Sequence, residues 1–360
     1  MVAISKTAKA VLSVFVAITL TFWGFSTTSI QALADTLSAD TVTVQGTSSE
    51  GDSIDGVTPT SNELNAVFHY RDSYFFQDSH TYNPSLATMS GNLARAAYDI
   101  GDTEADFPIG YQNLETLLED CGFTNFEANE GYKIKPESDS IGVGIAMKNA
   151  TVNGERRTII AIGVRGGNYG AEWSGNTKLS DSGEAQGFAT ARDQVIAFLN
   201  QYLSAHESEI TEQPRIWIAG FSRASATSNL TMNFINYAIE NCNNPVAAAQ
   251  ATGIGTASAA YSNMYTLAEH MARLKANQSN MYCYGFEVPA GGVKKGEGGF
   301  NAVADDNGNI WNAIHSEDVV PMVAPSSWDF VRYGTDVNLV EETTISGTEY
   351  SSVSLDAFYE

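Results

Sequence analysis

Arg215-Ile216-Trp217-Ile218-Ala219-Gly220-Phe221-Ser222-Arg223-Ala224-Ser225-Ala226 is the stretch whose reading decides the fold. Ile216 to Ala219 form an apolar run, as in a strand buried on both faces. The run breaks at Gly220-Phe221-Ser222, and a small-residue stretch with helix-like periodicity follows. The order is strand, sharp turn, helix, with a serine at the tip of the turn. A turn of this kind holds the serine in a strained conformation and exposes its hydroxyl. It also leaves the next main-chain N–H to stabilise an oxyanion. Small residues must flank the serine because strand and helix pack closely there, and Gly220 and Ala224 fill those places. Taken alone, the pentapeptide fits a serine-bearing turn without chemistry equally well.

Working outward, strands and helices alternate. Ile141 to Val152 alternates in a β-like pattern, and Thr158 to Val164 is a nearly continuous apolar run. Asn153-Gly154 between them is a hairpin signal. Asn83-Pro84 followed by Leu86, Met89, Leu93, Ala94 and Ala97 reads as a capped amphipathic helix. Tyr111 to Cys121 reads as a second helix, stopped by Gly122, and Gly187 to Leu203 as a third. Ala224 to Ile239 is the helix after the turn. Met281 to Val288 and Asn309 to Ile314 are further strands. This alternation predicts an α/β fold with a mostly parallel central sheet flanked by helices. No internal repeat or second domain boundary is visible. Ala247 to Asn277 is Ala-rich and helical towards its end, and reads as an insertion over the edge that carries Ser222.

The ends of the chain have a different character. Lys6 and Lys9, the apolar stretch Ala10 to Phe25, and Ala32-Leu33-Ala34 before Asp35 make residues 1–34 a secretory signal peptide. An uncleaved anchor is the competing reading, but the apolar run is short of a span of about 20 residues. Residues 35–62 are rich in Ser, Thr, Asp and Gly and read as a disordered tether. Residues 63–360 suffice for one large domain. The net charge of −23 argues against nucleic acid and against docking on anionic lipid, and suits a secreted, extracellular protein. With the signal removed, no permanent membrane span is expected. Cys121, Cys242 and Cys283 lack metal-ligand spacing and read as buried free thiols, with one disulfide as the alternative. No H-E-x-x-H-type cluster occurs, so no metal and no cofactor are expected.

Two other segments carry candidate chemistry. The strand ending in Val164-Arg165-Gly166-Gly167 brings bare main-chain N–H groups close to a ligand, because no Cβ intrudes. Gly167 and the N–H of Arg223 are therefore candidate oxyanion-hole donors. An ordinary loop after a strand fits Gly166-Gly167 as well. Asp318 follows the apolar strand Asn309 to Ile314 and precedes Val319-Val320-Pro321. A carboxylate at the carboxyl end of a parallel strand lies on the functional edge of such a sheet. A surface loop acid is the plain alternative, and Glu317 is the immediate rival. For Arg165 and Arg223 side chains a structural salt bridge is expected.

In their order and spacing, these three segments together resemble the class 3 lipase-like α/β-hydrolases. The resemblance is to bacterial lipase-family proteins whose elbow reads G-F-S-R-G-G, and it covers roughly residues 70 to 335. It implies an α/β-hydrolase fold and a secreted serine carboxylester hydrolase acting on lipid or other acyl esters. Ser222 is then the nucleophile, and Gly167 supplies one oxyanion N–H. Asp318, preferred to Glu317 by its place in an N-x-x-D-x-V-P-like segment, is the triad acid. The chain departs from the family in three places. Ala224 replaces a glycine, which crowds the turn. Gln186 stands where similar lipases often carry a histidine outside the triad. No histidine follows Asp318. Of the five histidines, His69 and His80 lie early, His206 at the opposite edge and His315 on the strand, leaving His270 as the other residue placed to reach the cleft. Two expectations follow: the domain is truncated and its histidine lies beyond Glu360, or the chain is a non-catalytic extracellular binding protein on a hydrolase scaffold.

Overall fold

A computed structural model describes residues 41–47, 63–97, 107–133, 140–166, 183–253, 255–315, 318, 320–322 and 329–339. The stretch read as a signal peptide, most of the stretch read as a tether, Gly167, Glu317 and everything after Leu339 lie outside the described residues. Strand β1 (Thr41–Thr47) pairs antiparallel with β2 (Glu63–His69). Seven residues of the stretch read as a tether are therefore strand. The β-branched run Thr41-Val42-Thr43-Val44 favours that conformation.

The remaining strands form one sheet in chain order. They are β3 (Thr124–Ala128), β4 (Val143–Val152), β5 (Glu155–Val164), β6 (Arg215–Phe221), β7 (Met281–Phe286), β8 (Ile310–His315) and β9 (Thr335–Leu339). β3, β4 and β5 run antiparallel, and β5 to β9 run parallel. The sheet is thus mostly parallel, as the alternation of elements predicts. Asn153 and Gly154 link β4 to β5 with φ of 52° and 84°, the two positive angles that a tight two-residue hairpin turn needs.

Helices α1 (Pro84–Ala97), α2 (Phe107–Asp120), α3 (Glu130–Lys133), α4 (Gln186–Ala205), α5 (Arg223–Glu240), α6 (Pro245–Gln250) and α7 (Ala259–Arg273) flank the sheet. The Asn83 side chain accepts the Leu86 N–H at 3.1 Å and caps α1. β5, β6 and β7 succeed one another in a single direction, so crossovers of one hand place α4 and α5 on the same face. Ile160, Ile162, Ile216 and Ile218 pack there with Val195, Leu199, Leu230 and Phe234. The other face belongs to α1 and α2, where Leu86, Leu93, Leu114 and Leu118 meet Ile159, Ala161, Trp217 and Ala219. Trp217 donates its indole N–H to Ser90 Oγ of α1 at 2.8 Å, so its one polar atom is satisfied in the core.

Two expectations need correction. The Ala247 to Asn277 stretch does not cover the edge carrying Ser222. It forms α6 and α7, whose Ala248, Met264, Leu267 and Met271 join the core on the α4–α5 face. Leu274, just past α7, accepts the Gln213 N–H at 2.7 Å, which fixes this end of the helix beside the start of β6. The strand expected over Met281 to Val288 stops at Phe286, because Glu287 turns to φ 49°. Arg165 reaches Gly131 O at 3.0 Å and Arg223 reaches Ser140 O at 2.8 Å, carbonyl contacts that the sequence did not announce. Both residues are fully buried.

A buried amide network joins α5 to the far strands. Asn229 donates to Asn312 Oδ1 and to Tyr333 O, and Asn312 donates to Tyr333 O and Asp336 Oδ1, all at 2.8–3.0 Å. Asn236 and Asn309 bond each other at 2.7 and 3.0 Å two turns further along α5. Elsewhere, Arg192 and Glu184 form a fully buried ion pair with N–O distances of 2.6 and 2.7 Å. The Arg192 guanidinium lies 4.4 Å from the centroid of the Phe234 ring. The three cysteines are free thiols; Cys121 and Cys283 are buried, and burial raises both thiol pKa values, that of Cys121 to about 12. Among the described residues no helix is long and apolar enough to cross a membrane, and no group of three or more His, Cys, Asp or Glu is placed to hold a metal ion.

Candidate active site

β6 ends at Phe221, α5 begins at Arg223, and Ser222 alone makes the turn between them with φ 55° and ψ −124°. A non-glycine residue in that region carries roughly 1–3 kcal/mol of strain, which persists only where the surroundings over-determine it. Three contacts do so. The Ser222 N–H donates to Phe286 O of β7 at 2.9 Å, and the Ser222 carbonyl accepts the Ser225 N–H at 2.9 Å. That carbonyl also takes a short hydrogen bond from Ser225 Oγ. The first residues of an α-helix have no intrahelical acceptor for their N–H groups, and the helix dipole is positive there. The turn thus presents a hydroxyl next to the electropositive start of α5. The expected crowding at Ala224 is not where space runs out, because its methyl is buried in the core of the α4–α5 face. The tight position is Gly220, where a Cβ would stand 2.6 Å from the carbonyl carbon and oxygen of Ala224.

The same edge of the sheet carries the acids. Phe221 pairs with Phe286, and Phe286 with Ala313, so Ser222, Glu287 and His315 follow at the ends of β6, β7 and β8. Asp318 lies one turn beyond His315: its N–H donates to His315 O at 3.2 Å, and its Oδ1 accepts the Val320 N–H at 2.7 Å. Only 3% of Asp318 is exposed, and its Oδ2 has no hydrogen-bond partner among the described residues. A buried carboxylate oxygen left open is costly and is suited to accept an N–H.

Glu287 is the residue that sequence reading missed. It is 5% exposed, and both carboxyl oxygens accept the His315 N–H at 3.1 Å. Burial pushes its pKa up to about 7, with the neighbouring Asp318 charge adding to the shift and hydrogen bonding to the His315 N–H opposing it. One signal was available: an acid interrupts the apolar run Met281 to Val288 at the carboxyl end of the strand beside the elbow.

His69 ends β2, and the other four histidines divide between the two ends of the seven-stranded sheet. His206 caps the end of α4 and bonds Glu127 and Glu209 at 2.9 and 3.1 Å. Burial opposes its charge, but these hydrogen bonds outweigh it and hold the imidazole pKa above its usual value. His270 lies 3.3 Å from Ser204 Oγ and 2.7 Å from Arg273, and burial, then the Arg273 charge, lowers its pKa. It sits beside the start of β6, away from the cleft it was expected to reach. His80 bridges Asp78 and Asp306 at 2.9 and 3.1 Å, near the start of β7. His315 stands at the Ser222 edge as the last residue of β8, as expected. Gly167 and Glu317 lie outside the described residues.

No family model and no curated protein matches the chain. Among solved structures it is similar to a Rhizomucor miehei lipase–propeptide complex, at 14% identity over 55% of this chain and 52% of that one, with a TM-score of 0.33. It is also similar to a lipase from Rhizopus microsporus var. chinensis, at 11% identity over 72% and 76% of the two chains, TM-score 0.40. Lipase II from Rhizopus niveus matches at 14% identity over 55% and 62%, TM-score 0.30. The match thus spans about half the length of the Rhizomucor chain. Likenesses at this level carry no weight for activity.

Proposed function

We propose that this chain is a secreted serine carboxylester hydrolase of α/β-hydrolase fold, lipase-like, acting on lipid or other acyl esters. The observation that carries the reading is the conformation of Ser222: a non-glycine residue at φ 55°, ψ −124° between a buried strand and the first turn of a helix. In this reading Ser222 Oγ attacks the ester carbonyl. The Arg223 N–H, at the start of α5, and the Gly167 N–H hold the oxyanion; removing one such donor costs about 3 kcal/mol of transition-state stabilisation. Asp318 orients and stabilises the histidine that takes the serine proton, through the oxygen that has no partner among the described residues. Residues 1–34 are the cleaved signal, so the exported protein begins at Asp35, which N-terminal sequencing reads directly.

The test is covalent labelling with a fluorophosphonate probe. The expected result is a single adduct on Ser222, lost in Ser222→Ala together with hydrolysis of p-nitrophenyl esters. An adduct on another serine sinks the assignment. A folded protein that neither labels nor hydrolyses any ester favours an extracellular binding protein on the same scaffold.

A further inference from the structure

We infer that Glu287 is the positioning residue of the Asp318 turn, a buried carboxyl that ties the end of β8 to the end of β7 and so holds the acid in register with the Ser222 elbow. The inference rests on the hydrolase reading above and extends it to a residue that reading does not use. Glu287 is bonded in three directions. Its N–H donates to Ala313 O at 2.9 Å, and its carboxyl accepts the His315 N–H at 3.1 Å. Its own carbonyl lies 3.5 Å from Ser225 Oγ, the hydroxyl that also bonds Ser222 O. His315 in turn accepts the Asp318 N–H at its carbonyl. A single residue, His315, thus joins the Glu287 clamp to the main-chain anchor of Asp318. The residue before Glu287, Phe286, accepts the Ser222 N–H. Nucleophile and acid are therefore linked through residues 286 and 287. Glu287 adopts φ 49°, an unfavourable angle for glutamate, which turns the chain out of the strand at the level of the His315 N–H.

The clamp is compatible with Asp318 only while Glu287 is uncharged. The groups facing it are Asp318 and His315 from β8 and the turn after it. Arg332 sits at Val288 O and Pro321 O with its charge paired to Asp336. α5 presents the uncharged Ser225. The Glu287 pKa near 7 keeps the carboxyl protonated in mildly acid solution, and its ionisation sets two buried carboxylates against each other.

The experiment measures hydrolysis of p-nitrophenyl butyrate by the full-length protein from about pH 5 to 9, with wild type, Glu287→Gln and Glu287→Ala, after fluorophosphonate labelling of Ser222 has been scored. Wild-type kcat should fall as pH rises above about 7, when Glu287 ionises. Glu287→Gln, neutral at every pH and still able to accept the His315 N–H, should keep wild-type kcat at low pH and lack the fall. Glu287→Ala should lose about 10- to 100-fold in kcat with little change in KM, the signature of a misplaced acid rather than lost substrate binding. Should Glu287→Ala fail to fold, the glutamine profile decides. Labelled, active wild type with a glutamine variant that shows the same fall overturns the inference and leaves the hydrolase reading standing. No label and no turnover in folded wild type overturns the hydrolase reading, and the inference with it.

Discussion

Gly220 and Ala224 leave no room for a methyl group between them: a Cβ on Gly220 would meet the main chain of Ala224 at 2.6 Å. The obstacle is backbone at the start of α5, which cannot rotate aside as a side chain would. Gly220→Ala should therefore push helix and strand apart, costing about 1–3 kcal/mol, the usual range for overpacking. Denaturant unfolding measures this directly. A variant as stable as wild type would mean that the turn has slack.

Ser222 pays for its position in backbone strain. Ser222→Gly should relieve that strain and raise stability by roughly 1 kcal/mol, whereas Ser222→Ala keeps the strained angle and should be close to neutral. Both should lack ester hydrolysis. A glycine variant that melts below the alanine variant would remove strain as the explanation of the angle.

Asp318 and Glu317 make opposite predictions. Asp318→Asn should cut kcat by about 10⁴-fold, the loss expected when the acid no longer fixes the histidine tautomer. Glu317→Gln should change it little. The two kcat values, measured side by side, assign the acid; the reverse order moves it by one residue.

The raised Glu287 pKa has a sign that thermal melts can read. The folded value of about 7 lies above the ordinary 4.5, so the native state binds this proton more tightly than the unfolded chain. The stability it contributes is full below about pH 4.5 and is lost as pH rises through about 7. The difference in Tm between wild type and Glu287→Gln should therefore shift against wild type across that window. A difference that stays constant with pH would remove the raised pKa.

Glu184 and Arg192 are both buried, so removing Glu184 takes from the buried Arg192 charge its fully buried partner and leaves it the bond to Asp193. Glu184→Ala should cost about 3–5 kcal/mol, far more than any surface pair in this protein. Urea titration checks it.

What the sequence disclosed was local. The apolar run, the break and the serine at its tip are contiguous, so the elbow is legible from Ile216 to Ala224. Asn153-Gly154 and the Asn83 cap are legible for the same reason. Glu287 was hidden because its meaning depends on the β7–β8 register, which brings residue 315 to residue 287 across 28 positions. The apolar spacing of Leu267, Met271 and Leu274 announces a helix but not its neighbours; only the packing on α4 and α5 tells that α7 lies away from the site. The contacts of Arg165 and Arg223 with the carbonyls of Gly131 and Ser140 were not legible, because main-chain oxygens leave no compositional trace.

The amide ladder between α5, β8 and β9 acts as an index mark for the acid. Hydrophobic alternation alone would tolerate a slip of two residues in β8, since each face keeps its character. Such a slip would carry Asp318 about 7 Å along the sheet, further than an imidazole can follow. Asn312 forbids it, because its amide fits only where Asn229, Tyr333 and Asp336 converge. The stopping place of the carboxylate is thus graduated by a scale of asparagines two strands away from the serine.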